Sequence, residues 1–167
     1  MPAATVAELR DFETQFAALL ADLLAVFAAA PYGLQLASHD TTGELITPRL
    51  EYEFTVGEPA GPGGQSLVRP GTLAQISYAG TLSFRHVYDH AKTTEAAAGA
   101  FRGALRTLLS PETTAITHLN LPWLKIDALN ETHSARLRFK DEKEKLLSEW
   151  SSAWAVIFTI RHDAWPA

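Results

Sequence analysis

The sequence contains no cysteine, which excludes a disulfide framework, a thiolate metal site and a cysteine nucleophile. Such a chain suits a reducing cytoplasm. Positive charge is also scarce: 14 Lys and Arg stand against 19 Asp and Glu, for a formal net charge of -5. That balance gives the chain as a whole no electrostatic footprint for gripping phosphate backbones. Long hydrophobic runs are missing too. The apolar stretch from Phe16 to Ala30 is interrupted by Asp22 and stops at Pro31, too short for a membrane span. Glu8, Arg10, Asp11 and Glu13 lie before it, the wrong charge for a signal-peptide leader. The expectation is a soluble protein whose 167 residues form one domain, 1–167, large enough to bury a core without disulfides or metals.

Catalytic landmarks are equally sparse. No Gly-x-Ser-x-Gly elbow marks a nucleophilic serine. The stretch from Gly57 to Gly71 is rich in glycine and proline, but no Gly-Lys-Ser/Thr follows it, no helix opens after it and it lacks dinucleotide-fingerprint spacing. It reads instead as a long, flexible hairpin arm over 57–71. His86 and His90 flank Asp89, yet the first falls in a strand pattern and the second in a turn, and a metal site needs three or four convergent ligands. Glu51 with Glu53, or Asp127 with Glu131, could be called carboxylate pairs; the first two lie on the polar face of a strand, where solvated carboxylates are usual. No residue is assigned a catalytic, cofactor-binding or metal-binding role on these grounds.

What the sequence does hold is a clear pattern of elements. In the run from Glu149 to Ile160, Trp150, Trp154, Val156, Phe158 and Ile160 share one parity while Glu149, Ser151 and Thr159 fall on the other, the period of a strand with one buried face. This run is expected to be the central strand of a sheet. Leu9, Phe12, Phe16, Leu19, Leu20, Leu23, Leu24 and Phe27 recur at spacings of three and four, which predicts an amphipathic helix from about Thr5 to Ala29, ended by Pro31 and Gly33. A loop follows from Tyr32 to Gly43, with a short edge strand at Leu34 to Leu36. Leu50 to Val56 alternates as a half-buried strand, and Leu73 to Tyr88 continues as its partner across the arm, with Gly80 marking a bulge. A second helix, capped by Asp89 or Thr93, lines Ala98, Phe101, Leu105 and Leu108 on one face. Thr113 to Pro122 reads as loop, and short strands follow at Trp123 to Leu129 and Ser134 to Phe139. Asp141 to Lys145 reads as a solvated turn, the alternative being one or two helical turns from Asp141 to Trp150. Trp123, Trp150, Trp154 and Trp165 suit core or subunit-contact anchors rather than base-stacking platforms, because no basic residues are interleaved with them.

The order of elements predicts an α+β fold: a single, mostly antiparallel sheet of about four to five strands with two helices packed on one face, and a long hairpin arm. Thr47 to Phe54, Tyr78 to Phe84, Phe101 to Leu109 and the ending Trp154 to Pro166 together resemble the small neck and tail-completion proteins of tailed bacteriophages, in style the tail-terminator group found also in prophages and phage-like particles. The resemblance covers Leu9 to Pro166 and is one of element order, and this chain departs from the shortest members in its arm and around Thr113 to Pro122. It implies a non-enzymatic virion structural protein without cofactors, made in the bacterial host cytoplasm. Such proteins assemble as a homo-oligomeric ring, usually a hexamer, that caps the tail tube and meets the head-tail connector while DNA passes without tight binding. Gly57, Glu58, Gly61, Gly64, Arg69, Arg161 and Trp165 are the candidate assembly contacts, because a ring subunit needs arms and anchors that order on assembly. The alternative is a small α+β pocket protein, a ligand-binding module or hydrolase, with His86, His90, Tyr52 and Asp127 as its polar groups.

Overall fold

A computed structural model describes residues 2–38, 41, 46–59, 73–110 and 115–163. The first helix, α1, spans Val6–Leu24 and runs on into a 3-10 turn at Ala25–Ala28. It starts where the sequence supplies a capping box: the Thr5 hydroxyl accepts the Glu8 N–H, and the Glu8 carboxylate accepts the Thr5 N–H at 2.7 Å. Two of the orphan amides of the first turn are thereby satisfied. A short strand β1, Gln35–Ser38, leads to β2, Arg49–Pro59, and β3, Leu73–Asp89. Helix α2, Glu95–Leu108, begins at Thr94, whose side chain accepts the Ala97 N–H at 3.1 Å. Neither expected cap holds this position. The Asp89 carboxylate instead accepts the Ala91 N–H and shapes the turn before it.

The remaining elements are a single helical turn α3, Ala115–His118, and two long strands, β4 at Leu124–Lys140 and β5 at Leu146–Asp163. The α3 turn lies inside the stretch expected to be loop. The five strands form one sheet in the order β1-β2-β3-β5-β4. β1 lies parallel to β2, and every other neighbouring pair is antiparallel. The architecture is α+β, as the element order predicts. β5 is an interior strand paired on both sides, but the middle place belongs to β3.

Two local expectations are corrected, and one of two alternatives is removed. The two short strands expected at Trp123 to Leu129 and Ser134 to Phe139 are one strand, β4, whose pairing with β5 shifts register between Ile126 and Ala128 and again between Glu131 and His133. Each irregularity resets which side chains face the core, so alternation in the sequence breaks without the strand ending. No bulge occurs at Gly80, which pairs with both Val56 and Val156; a Cβ there would sit 2.9 Å from the Phe54 ring and 3.0 Å from the Thr55 carbonyl. Its glycine is required by close approach of an aromatic ring, and the irregular pairing lies next door in β2, between Val56 and Pro59. Asp141 to Lys145 is a tight turn and Leu146 already belongs to β5, so no helical turns precede that strand.

Both long helices lie on one face of the sheet, and a single cluster joins them to it. Phe16, Leu20 and Leu24 of α1, Phe27 after it, and Phe101 and Leu105 of α2 meet Leu50, Leu82, Phe84, Leu129, Trp150, Trp154, Val156, Phe158 and Ile160. The even-numbered residues of β5 from Trp150 to Ile160 are all buried, as the parity of the run predicts. Rings interlock through the layer: Phe16 and Phe54 lie 4.2 Å apart, Phe27 meets Phe101 edge-on at 5.0 Å, and Tyr78 stacks on Phe158 at 5.7 Å. Each such side chain contributes about 1.5–3 kcal/mol on full burial. The opposite face of the sheet is covered by no helix among the described residues.

Candidate assembly surface

The uncovered face follows from the register. Arg49, Glu51 and Glu53 of β2, Ser83 and Arg85 of β3, Glu149, Ser151, Ala153 and Ala155 of β5, and His133 and Ala135 of β4 occupy its rows. Short side chains fill the centre and charges gather toward one end. Glu51 accepts from Arg49 at 2.6 Å and from Arg85 at 3.0 Å, and Arg85 reaches on to Glu149 at 2.6 Å. Partial burial pushes the Glu51 carboxyl up, but hydrogen bonds and charge from Arg49 and Arg85 outweigh it and hold it below the usual range. The hydrogen bond to Glu149, joined by Glu51, raises Arg85 further. A hollow of about 500 Å³ lies beside this chain of ions, lined by Ala37, Ser38, Glu51, Glu53, Arg85 and His133 among others.

On the helix side, polar groups serve to fasten α2 to the sheet. Arg106 grips Glu131 through two bonds, Nε to Oε2 at 2.8 Å and Nη2 to Oε1 at 3.0 Å, and its guanidinium lies 5.7 Å from the centre of the Trp150 ring. Ser152 donates to Glu131 at 2.8 Å, and the Trp150 indole N–H donates to Ser134 at 2.8 Å. The Arg106 hydrogen bond, against the opposing effect of desolvation, keeps the Glu131 carboxyl low. Nearby, the Tyr88 hydroxyl donates to Glu95 at 2.7 Å and is the main cause of that carboxyl's lowered pKa.

His86 sits deeper. Only 1% exposed, it lies against Tyr88 at 5.0 Å and Phe101 at 4.5 Å, and neither ring nitrogen has a hydrogen-bond partner. Burial, helped by the Arg102 charge, pushes its pKa down to about 4, so the ring is neutral at pH 7. A cleft of about 320 Å³ bordered by Tyr32, Pro48, Lys92 and Ala97 opens next to it.

The four polar groups of the alternative pocket reading do not converge. His86 is opposite Trp150 on the helix side, whereas Asp127 accepts from Thr159 on the other face, beside the Ile126–Phe158 pair. From position 150 to 158 along β5 is eight residues, about 26 Å of strand. His90 is taken up by Ser148 at 2.6 Å. His118 lies against Asp22 at 3.0 Å, and the described residues include no cluster of three or more groups suited to a metal ion.

Of the candidate assembly contacts, Gly57 and Glu58 lie in the irregular stretch of β2 between Val56 and Pro59, and Arg161 near the end of β5. Pro59 pairs with Tyr78, and Tyr78 with Phe158, so all three lie toward one end of the sheet. A Cβ on Gly57 would meet the Ala79 carbonyl at 3.0 Å. The Arg161 backbone is tied on both sides, its N–H donating to the Trp123 carbonyl at 3.0 Å and its carbonyl accepting the Ala4 N–H at 2.6 Å. Gly61, Gly64, Arg69 and Trp165, with most of the arm, lie outside the described residues. Sequence reasoning missed the cationic row Arg136, Arg138 and Lys140; its period of two was visible, but not that the strand carrying it forms an edge of the sheet.

No helix among the described residues is long and apolar enough to cross a membrane. No protein-family model matches the chain, and no curated protein matches it. The solved structures similar in outline include one chain at 12% identity and a TM-score of 0.44, covering 86% of this chain and 94% of its own, a likeness too loose to bear on function.

Proposed function

We propose that this chain is a non-enzymatic structural protein of a tailed-phage or phage-like virion, a tail terminator or neighbouring neck component that works as a homo-oligomeric ring. In that role its partners are copies of itself, the tail tube protein and the head-tail connector, and DNA passes through the channel without tight binding. The observation that carries this reading is the one-sidedness of the fold. Both long helices are spent on one face of the sheet, which leaves the second face and the long edge strand for something other than the described chain to cover.

Two further features support it. The polar groups named for a pocket are dispersed over two faces and some 26 Å of strand. A formal charge of -5 suits a channel wall that nucleic acid passes without adhering. The test is the solution mass of the purified protein by light scattering over a concentration series, followed by incubation with tail tubes of a terminator-deficient phage. A discrete closed assembly, usually of about six copies in proteins of this kind, together with capped tubes of uniform length is the expected result. A protein that stays monomeric and joins neither tubes nor connectors refutes the proposal.

A further inference from the structure

The two edges of the sheet carry opposite charge and complementary vacancies. At one edge, β1 pairs with β2 only from Arg49 to Tyr52, because β1 ends at Ser38, where the Thr41 hydroxyl and amide close a turn. Among the described residues, Glu53 to Pro59 of β2 therefore has no strand on its outer side. A groove of about 590 Å³ runs along this free edge beneath α1, lined by Glu13, Thr14 and Ala17 of the helix and by Tyr52 to Val56 of the strand. Glu13 and Glu53 are both exposed and neither has a cationic partner among the described residues.

At the other edge, β4 has no outer neighbour strand among the described residues. Its beginning is protected: Asn120 accepts the Ile126 N–H at 2.8 Å, Leu121 bridges Leu124, and two register shifts follow. From His133 to Lys140, eight residues, it is regular, unprotected by proline or bulge, and almost wholly exposed. Arg136, Arg138 and Lys140 share one parity and point to the helix side, opposite Trp150, Ser148 and Leu146. Arg136 has no anionic partner among the described residues, and Leu137 between them is 58% exposed. A long, straight, unpaired edge strand is a template for pairing with another chain.

We infer that β4 of one copy pairs antiparallel with the free segment of β2 in the next copy, extending the sheet from subunit to subunit. This deepens the ring reading above and rests on it. Direction and facing both agree. Alternation through β2, β3, β5 and β4 makes β4 antiparallel to β2, so a neighbour in the same orientation presents an antiparallel partner with its helices on the same side. The regular part of the free segment, Glu53 to Val56, fits within the eight residues of β4, and the irregularity before Pro59 ends the pairing. Charge agrees on the helix side, where the cationic row enters and Glu13 stands on α1; Glu53 belongs to the opposite face and does not meet that row. Pairing β4 with a second β4 would instead set cations against cations, so the contact is head-to-tail, the kind that closes rings.

The test uses two full-length variants, Arg136→Glu/Arg138→Glu on the donor edge and Glu13→Arg on the receiving edge, with circular dichroism to verify folding. Light scattering should show that each variant alone assembles at least about tenfold more weakly than the wild type. An equimolar mixture should recover the wild-type mass, since every contact in an alternating ring is again between opposite charges. Because the chain lacks cysteine, Thr55→Cys and Ala135→Cys give a second readout: a short thiol crosslinker should link a mixture of the two into a mixed dimer and neither alone. A ring that keeps its mass in both reversed variants, or a mixture that fails to recover while both are folded, overturns this contact and leaves the ring reading standing. A wild-type chain that is monomeric at every concentration and uncrosslinked in the mixed experiment overturns both.

Discussion

Replacing His86 by phenylalanine keeps a ring between Tyr88 and Phe101 and removes the two nitrogens that lack partners. The consequence is a change in pH dependence. Burial and the Arg102 charge hold the folded-state pKa of His86 at about 4, against an ordinary value of 6.5. Below pH 6.5 the unfolded chain takes up a proton at this site and the folded chain resists it until about pH 4. The folded state therefore loses ground as pH falls through that window and is unaffected above it. Linkage over the whole window amounts to about 3 kcal/mol, of which about 2 kcal/mol is expressed by about pH 5. For a domain of this size that is a fall of about 4–8 °C in melting temperature. Glu51, Glu95 and Glu131, whose pKa values are lowered, also weaken the fold in acid, but equally in both proteins. Urea unfolding of wild type and His86→Phe at neutral pH and at about pH 5 gives the difference directly: the wild type should lose about 2 kcal/mol more. Parallel pH profiles would refute the argument, whatever the offset between the two proteins at neutral pH.

Other perturbations have expected outcomes of their own. Gly80→Val forces a side chain against the Phe54 ring and the Thr55 carbonyl and should cost about 1–3 kcal/mol in thermal melts, whereas Gly103→Ala, with nothing within 4 Å, should stabilise α2 by about 0.5–1 kcal/mol. A double-mutant cycle of Arg106→Met with Glu131→Gln should give a coupling of about 1 kcal/mol, because the pair is bidentate but partly solvated. Thr94→Ala removes the side chain that caps α2 and should lower stability by about 1 kcal/mol, while Thr93→Ala, one residue earlier, should be close to neutral in the same denaturant assay.

The sequence was most informative where one face of an element is buried and the backbone is regular. Trp150 to Ile160 declares its inward parity without help, and the α1 stripe from Phe12 to Phe27 does the same at helical spacing. Legibility fails where the backbone departs from its period. At Ala128 and His133 the register shifts, so β4 looks like two strands in the one-letter code although its pairing with β5 resumes after each shift. Edges are illegible for a different reason. Nothing in Arg136-Leu137-Arg138 says that a partner strand lies on one side only, because edge status depends on the order in which strands assemble, set by contacts far apart in sequence. The role of Gly80 was hidden for the same reason, since the Phe54 ring that excludes a side chain there comes from across the hairpin. Of the candidate contacts, Gly57, Glu58 and Arg161 share an end of the sheet, a proximity that depends on β2, β3 and β5 being neighbours.

All 17 residues of β3 are paired with β5, a ladder about 55 Å long with little to interrupt it. Its mechanical consequence concerns the direction of load. Tension applied along the strands, pulling the arm end of β3 against the opposite end of β5, stretches every rung in shear at once, so the rungs fail together or not at all. Tension across the strands opens the ladder one rung at a time, like a zipper. In the ring proposed above, a driving force parallel to these two strands would load the ribbon in shear, as a tie-rod.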